Sequence, residues 1–513
     1  MSDLYNSPEL EELRRLALLR EQPFTSDAAV MGGFIARVRE AWNRVATKWQ
    51  VLPRMEQQSV FNLTLVEWLG RRANPAELDR RLIDQDHART ELNRAAGLVT
   101  ARARSRLGDL AASRMGTGAT ARRLRIAYFS PLPPAHSGIA DYSAELLPHL
   151  AELADLTVFS DMPDASTAVG VPVRSTGNFP GRRDEFDLPL YQMGNSSQHE
   201  SAYDMLLRFP GVVVLHDLIL HHFVRHHTAG RADWPGYARE LAYTLGIEGR
   251  NLGRSVRAGR STPPLFEVAL NRRLIDSSLG VIVHSRFAAG GILQERSDTP
   301  LAVAPALAAI HPGRSRRDEL GLAEDALLFG SFGQITAEKQ IGFALEAFRR
   351  VLREWPNAHF LLVGEIRPDV ELSSALVGLD LGDHVHHVGY AADMQGFIDW
   401  IHTADVVVNL RQPTVGETSA VAMRAMAAAR PLIVFDHGWY SELPDSAAIK
   451  TAPGDPAALQ AAMERLAASP HMRLQMGAAG LEYVRRHCLP QAVAQSYLDF
   501  IHSLLEPRVS VHD

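Results

Sequence analysis

Leu124-Arg-Ile-Ala-Tyr-Phe-Ser-Pro-Leu-Pro-Pro-Ala-His-Ser-Gly-Ile-Ala-Asp-Tyr-Ser143 decides how this chain is read. A short apolar run, Leu124 to Phe129, stops at Ser130-Pro131 and gives way to a helical pattern starting near Ile139. A buried strand that feeds a turn and then a helix is the opening of a βα unit. Four more short apolar runs follow: Leu156 to Phe159, Leu188 to Gln192, Val212 to Leu215 and Val281 to Val283, with helical stretches between. Strands alternating with helices predict a parallel sheet covered on both faces. This makes one doubly wound domain over roughly Arg122 to His311.

The theme repeats in Leu327 to Phe332, His359 to Val363, Val385 to Val388, Val406 to Leu410 and Leu432 to Phe435. The segment Pro312 to Leu322 joins the halves, and beyond Pro456 the pattern is helical. The expected organisation is a helical extension and linker over 1–119, Rossmann-like domains over 120–313 and 314–485, and a C-terminal helix over 486–513. Doubly wound sheets bind ligands outside the carboxyl ends of their strands. The functional site is therefore expected in the gap between the two halves.

Composition agrees with a multidomain globular protein. The 513 residues correspond to three domains or slightly more at ~150 residues each. Hydrophobic residues make up 46% and charged residues 22%, which excludes a mainly disordered or fibrous chain. The net charge of −6 excludes an overall nucleic-acid binder. Charge is uneven, however: Met31 to Arg125 carries 18 Arg and Lys against 9 Asp and Glu. A basic N-terminal segment precedes an acidic body, an asymmetry that allows a phosphate-bearing partner or an anionic membrane surface. A single cysteine, Cys488, excludes a disulfide scaffold, and without a Cys/His cluster no structural zinc site is expected. No stretch approaches the ~20 apolar residues of a membrane span, and the first residues lack a signal core. The expected location is the cytoplasm, peripheral at the inner face of the plasma membrane.

Residues up to about Ser113 read as helix. Phe34, Ile35, Val38, Trp42, Val45, Trp49 and Leu52 form one apolar stripe flanked by Arg37, Arg39, Arg44 and Lys48. Such a helix either docks on another helix or lies in a membrane interface, which makes residues 31–54 a candidate contact with anionic lipid. A second pattern through Leu78, Leu82, Leu92 and Leu98 can pair with it or mediate a homodimer. Met115 to Thr120 reads as a linker.

Five loops hold the candidate chemistry. Ser130 to Ser143 places Gly138 at a helix entry, where backbone amides meet phosphate or sugar oxygens and glycine permits close approach. The matching turn of the second half is Gly330-Ser-Phe-Gly-Gln-Ile-Thr-Ala-Glu-Lys339, holding Gly333 and Gln334. Only three of the 53 basic residues are lysine, namely Lys48, Lys339 and Lys450. A lysine kept in a strand-to-helix turn points to a compact ammonium at a phosphate, against the plain alternative of a solvated surface lysine. Val212 to Leu215 ends in His216 and Asp217, an imidazole and a carboxylate that orients it; capping of a buried strand end is the competing reading. Gly194-Asn195, with His199 following, can hold acceptor hydroxyls. The nearby His221, His222, His226 and His227 lack a carboxylate ligand pattern, and no metal is expected there. The fifth loop, Pro413-Thr-Val-Gly-Glu-Thr-Ser-Ala-Val-Ala-Met-Arg-Ala-Met426, enters a helix. Glu417 and Arg424 are spaced for one helix face, although capping alone also explains Glu417, Thr418 and Ser419.

From about Leu124 onward the chain resembles the retaining nucleotide-sugar glycosyltransferases of the GT-B fold, family 4 type. The pieces that carry the resemblance are the Ser130 to Ser143 loop, the His216-Asp217 strand end, Val283-His-Ser285-Arg-Phe and the Gly333 to Lys339 turn. Leu361-Leu-Val-Gly364, Val388-Gly389-Tyr390 and Glu417 to Pro431 add to them. The resemblance implies an α/β, two-domain GT-B fold and a metal-independent hexosyltransferase. In this reading Lys339 neutralises the donor diphosphate, Gly138 packs near it, and His216 lies by the donor sugar and reacting centre. Gly389 and Tyr390 contact the base, while Gly333, Gln334, Glu417, Thr418 and Ser419 line the donor site. Asp141, Asn195, His199 and Asp217 fall on the acceptor side.

The chain departs from the family where Gln334 stands for the usual Arg, and where Gly416 and Arg424 occupy the two slots of the paired glutamates. Arg424 is expected to supply the charge that Gln334 lacks. The Gly-Glu-Thr-Ser form resembles a bacterial branch that assembles surface polysaccharides, with a nucleoside-diphosphate sugar as donor and a glycan or lipid-linked acceptor. The alternatives are a catalytically impaired GT-B binding subunit and a sugar-nucleotide epimerase on the same architecture. A nicotinamide dehydrogenase is disfavoured because no Gly-x-Gly-x-x-Gly follows either first strand.

Overall fold

The apolar runs form two parallel sheets in the computed structural model. It describes residues 122–505 apart from 163, 168–169, 369 and 371–377. The expected helical region over 1–119, its stripe at 31–54 and the homodimer expected of it lie outside the described residues. In the first half, β1 (Arg125–Phe129), α1 (Gly138–Leu153), β2 (Asp155–Phe159), β3 (Val173–Arg174), β4 (Leu188–Met193), α2 (Glu200–Arg208) and β5 (Val212–Leu215) follow in order. They are succeeded by α3 (His221–His227), α4 (Trp234–Leu245), α5 (Ile247–Arg257), α6 (Arg272–Ser277), β6 (Gly280–Val283), α7 (Arg286–Glu295) and β7 (Leu301–Val303). The sheet order is β3-β2-β1-β4-β5-β6-β7.

The second half comprises β8 (Leu327–Phe332), α8 (Ile341–Val351), β9 (Ala358–Val363), β10 (Val385–His387), α9 (Met394–Thr403), β11 (Val406–Val408) and α10 (Ala420–Ala427). It closes with β12 (Leu432–Phe435), β13 (Ala448–Thr451), α11 (Pro456–Ala468), α12 (Pro470–His487) and α13 (Pro490–Leu505). Its sheet order is β10-β9-β8-β11-β12-β13. Both sheets reverse direction of strand addition beside their first strand, which opens a crevice at the carboxyl ends. Both halves belong to one compact unit, Leu92–Asp513.

Three strands were absent from the sequence expectation: β3, β7 and β13. Each is a sheet edge. An edge strand is covered on fewer sides, so it needs no continuous apolar run. Lys450 inside β13 shows the effect.

The last helix does not stay with the half that precedes it. Val493, Tyr497 and Ile501 of α13 join the core formed by Ile126, Tyr128, Leu146 and Leu150 of the first half. The hydroxyls of Tyr142 and Tyr497 meet at 2.6 Å. Gly280 leaves room for α13, because a Cβ there would lie 2.8 Å from the Phe500 ring. Among the described residues no helix is long and apolar enough to cross a membrane.

Truncating Tyr497 to Ala opens a cavity in that shared core and strands the Tyr142 hydroxyl. The expected cost is about 3–5 kcal/mol, read by urea unfolding, whereas Leu474→Ala, at a side chain 73% exposed, leaves stability unchanged.

Candidate functional site

A cavity of about 520 Å³ lies where the carboxyl ends of the two sheets face each other. The first half supplies Gly138, Glu145, Asn195, His199, His216 and Asp217; the second supplies Gln334, Arg411, Glu417, Thr418 and Arg424. Two close approaches bring these walls together. The amide of Ile219 donates to the carbonyl of Val415 at 2.8 Å. Gly416, at φ +77°, admits Leu218 so tightly that a Cβ would sit 2.6 Å from the Leu218 Cβ. Only glycine meets both demands at this point.

On the first wall, Gly138 is the first residue of α1, and the space above it is open. It presents a helix N-terminus to the cavity, as an anionic or hydroxylic ligand requires. His216 follows β5 and donates its Nε2 hydrogen to Gln192 Oε1 at 2.7 Å. Burial, then the neighbouring His284 and His199, hold its pKa well below the usual 6.5. A neutral imidazole results. His199 is also neutral: burial lowers its pKa to about 4, and its Nδ1 hydrogen goes to the Gln192 carbonyl at 3.0 Å. Its Nε2 is buried without a partner among the described residues, which leaves a bare acceptor at the cavity wall.

Asp217 accepts from the Asn195 amide at 2.7 Å. Burial, then the charge of Glu417 across the gap, raises its pKa to about 7. Asn195 itself is spent on structure: its Oδ1 accepts from the Phe223 amide at 2.9 Å and its Nδ2 bonds His222 Nδ1 at 3.2 Å. Gly194 must stay bare, since a Cβ there would meet Ile139, His199 Nε2 and Asp217 Oδ2 within 2.4–3.1 Å.

The second wall is organised by a carboxylate. Glu417 Oε2 accepts from Thr414 Oγ1 at 2.7 Å and from the Val415 amide at 2.8 Å. Its other oxygen holds Arg411 Nε at 2.8 Å. Glu417 therefore lies in the loop ahead of α10 and not on its face, which corrects the reading of a shared helix face with Arg424. The cap belongs to Ser419, which accepts from the Ala422 amide and is held by Asn409 Nδ2 at 2.8 Å. Arg424 does reach the cavity, but its guanidinium is taken by Glu145 of α1 at 2.8 Å.

Lys339 is 8% exposed and absent from the cavity wall. Its ammonium donates to the Phe332 carbonyl and lies 2.9 Å from where a Gly333 Cβ would be. Burial, followed by the charge of Arg411, lowers its pKa to about 7. Gly333, at φ +81°, has to stay without a side chain beside this ammonium. Gly389 and Tyr390 stand at the rim, where the Tyr390 hydroxyl bonds His136 Nδ1 of the opposite half at 2.6 Å. Asp141 is half buried and lies off the wall; burial raises its pKa.

Sequence reasoning missed Arg411 and Glu145. Arg411 lies three residues past the end of the short β11, in the loop where a cleft residue belongs. Glu145 occupies the second turn of α1, and nothing in its local sequence distinguishes it from a solvated helix carboxylate. Of the four histidines in α3, His221 bonds the Val268 carbonyl and the Tyr237 hydroxyl, His226 and His227 face Glu200, and His222 supports Asn195 at the cavity wall. Among the described residues no group of three or more His, Cys, Asp or Glu side chains is placed to hold a metal ion.

Residues 325–469, the part of the chain that builds the Arg411 wall, match the family described as Glycosyl transferases group 1. The chain is a glycosyltransferase. Its two-domain α/β architecture is GT-B, shared with HepE (Alr3699) from Anabaena, solved in complex with UDP. The two are 14% identical, with 74% of this chain and 100% of HepE covered at a TM-score of 0.53. Sucrose-phosphate synthase from Thermosynechococcus elongatus shares the fold at 19% identity, covering 74% of this chain and 99% of its own, with a TM-score of 0.53. No curated protein matches the glycosyltransferase by sequence.

The raised pKa of Asp217 has a signed consequence. Between pH 4 and 7 the folded glycosyltransferase keeps a proton on Asp217 that the unfolded chain has released, so this group costs stability as pH rises through that window. Asp217→Asn retains the acceptor for the Asn195 amide and removes the titration. Its stability relative to the parent is expected to grow from pH 4 to pH 7 by on the order of 1 kcal/mol or more, measured by urea unfolding across that range.

Proposed function

We propose that the protein is a retaining glycosyltransferase that moves a sugar from a nucleoside-diphosphate sugar to a glycan or lipid-linked acceptor in cell-surface polysaccharide synthesis. The observation that carries this reading is a coincidence of place. The segment matching Glycosyl transferases group 1 supplies Gln334, Arg411, Glu417 and Arg424 to the wall of the cavity. HepE was solved with UDP-glucose, so UDP-sugars are the first donors to test.

In the proposed reaction the bond between the anomeric carbon and the diphosphate oxygen breaks, and negative charge gathers on the leaving diphosphate. Arg411 at the wall and Lys339 beside Gly333 meet that charge, together with the N-terminus of α1 at Gly138, in place of a metal ion. Such preorganised charge is often the largest catalytic contribution. Lys339 gives up much of its proton near pH 7 in the empty protein, and an arriving diphosphate restores it. His216, a neutral imidazole, positions the sugar, while Asp217 and His199 face the acceptor. The remaining donor contacts, at Thr418, Ser419, Gly389 and Tyr390, are carried over from the family resemblance.

Lys339→Met keeps the buried volume and removes the charge. Transfer from UDP-glucose, or from whichever UDP-sugar binds, should fall at least a hundredfold, of the order seen when one preorganised donor is lost. The parent's unfolding free energy below pH 7, by contrast, should lie at or under that of the variant, since a buried ammonium opposes folding there. Calorimetry with UDP and UDP-sugars separates the alternatives. No binding to any of them favours an impaired binding subunit, and a converted donor sugar without acceptor favours an epimerase.

A further inference from the structure

The first half carries a helical hairpin that takes no part in the cavity. Its two helices, α4 and α5, pack closely because α5 turns glycines toward α4. A Cβ at Gly249 would lie 2.0 Å from the Leu241 carbonyl oxygen, and one at Gly253 would lie 3.0 Å from the Ala238 Cα. That leaves another face of α5 free. Arg250, Arg254 and Arg257 recur there at helical spacing and fall within one narrow stripe, and Arg260 follows just past the helix end. All four are exposed, and no guanidinium among them has a hydrogen-bond or ion-pair partner among the described residues. Glu248, the acidic residue of this helix, points to the opposite side.

The stripe has an apolar end. Leu245 and Ile247 flank the turn between the two helices and are each 37% exposed, and Ile247 continues the arginine line by helical spacing. In a chain of net charge −6, a row of three such arginines with a fourth close behind makes a local field of opposite sign. A polyanion in solution accounts for the arginines but leaves the exposed Leu245 and Ile247 without a partner. An anionic lipid surface matches both, with phosphates for the stripe and the headgroup–acyl boundary for the turn.

We propose that the α4–α5 hairpin docks this protein on an anionic membrane. Its position makes the contact useful. The chain leaving α5 carries Phe266, whose ring lies 5.0 Å from that of His222, and His222 bonds Asn195 at the cavity wall. The docking surface is thus connected to the side of the cavity assigned to the acceptor. The inference itself rests on charge and exposure and stands apart from the transfer reading.

The test is sedimentation of the full chain with sucrose-loaded vesicles of phosphatidylcholine alone or mixed with phosphatidylglycerol, without donor or acceptor. The parent is expected to pellet with the mixed vesicles only. An Arg near an anionic surface is worth about 1 kcal/mol, or roughly fivefold. R250E/R254E/R257E should therefore weaken binding by well over tenfold, the milder R250Q/R254Q/R257Q should fall between, and L245S/I247S should lose binding with all arginines intact. Each variant is first checked for an unchanged thermal midpoint, and the glutamine set keeps the test open if charge reversal unfolds the hairpin. Parent-like pelleting of the charge variants overturns the proposal. So does unimpaired pelleting of L245S/I247S together with release by soluble inorganic polyphosphate, which would assign the stripe to a soluble polyanion.

Discussion

Two carboxylate–guanidinium pairs organise the cleft, and they differ in what they join. Glu417 fixes Arg411 within one half, using its second oxygen to fold the loop that carries it. Glu145 fixes Arg424 across the gap, with both side chains largely shielded from water at 14% and 10% exposure. A partly buried pair is held more tightly than a surface one, because loss of either member leaves a charge without solvent. The positive groups of the cavity are therefore oriented before any ligand arrives, and an entering anion must compete with carboxylates already in place.

Lys339 follows a different logic. Among the described residues it has no carboxylate partner; it donates to the Phe332 carbonyl, and burial followed by the charge of Arg411 lowers its pKa to about 7. An arginine retains its charge under such burial, whereas a lysine yields it. In a chain where all but three of the 53 basic residues are arginine, this position holds a base whose charge responds to its surroundings. His216 and His199 are tuned in the same way toward neutrality, so the first wall presents uncharged nitrogens and the second presents cations.

The strands of both halves were legible because central parallel strands are buried on both faces and must be continuously apolar. Val212–Leu215, Leu327–Phe332 and Leu432–Phe435 match the expected runs end for end. Edge strands carry no such requirement, and three of them passed unseen. The loops at the carboxyl ends were legible as places, less so as geometry. Glu417 and Arg424 were placed at the site by their loop and their spacing, yet the helix begins only at Ala420. Arg411 escaped because a lone arginine after a strand has no motif around it. Glu145 escaped because its significance comes from a residue 279 positions away.

The route of the final helix has a consequence for how the chain comes into being. Val493, Tyr497 and Ile501 complete a core that begins with Ile126 and Tyr128, so the amino-proximal sheet cannot close over its apolar side until the other sheet has been synthesised and α13 has emerged. Synthesis from the N-terminus usually lets domains mature one after another. Here the core of the earlier half is completed only by a helix that follows the later half.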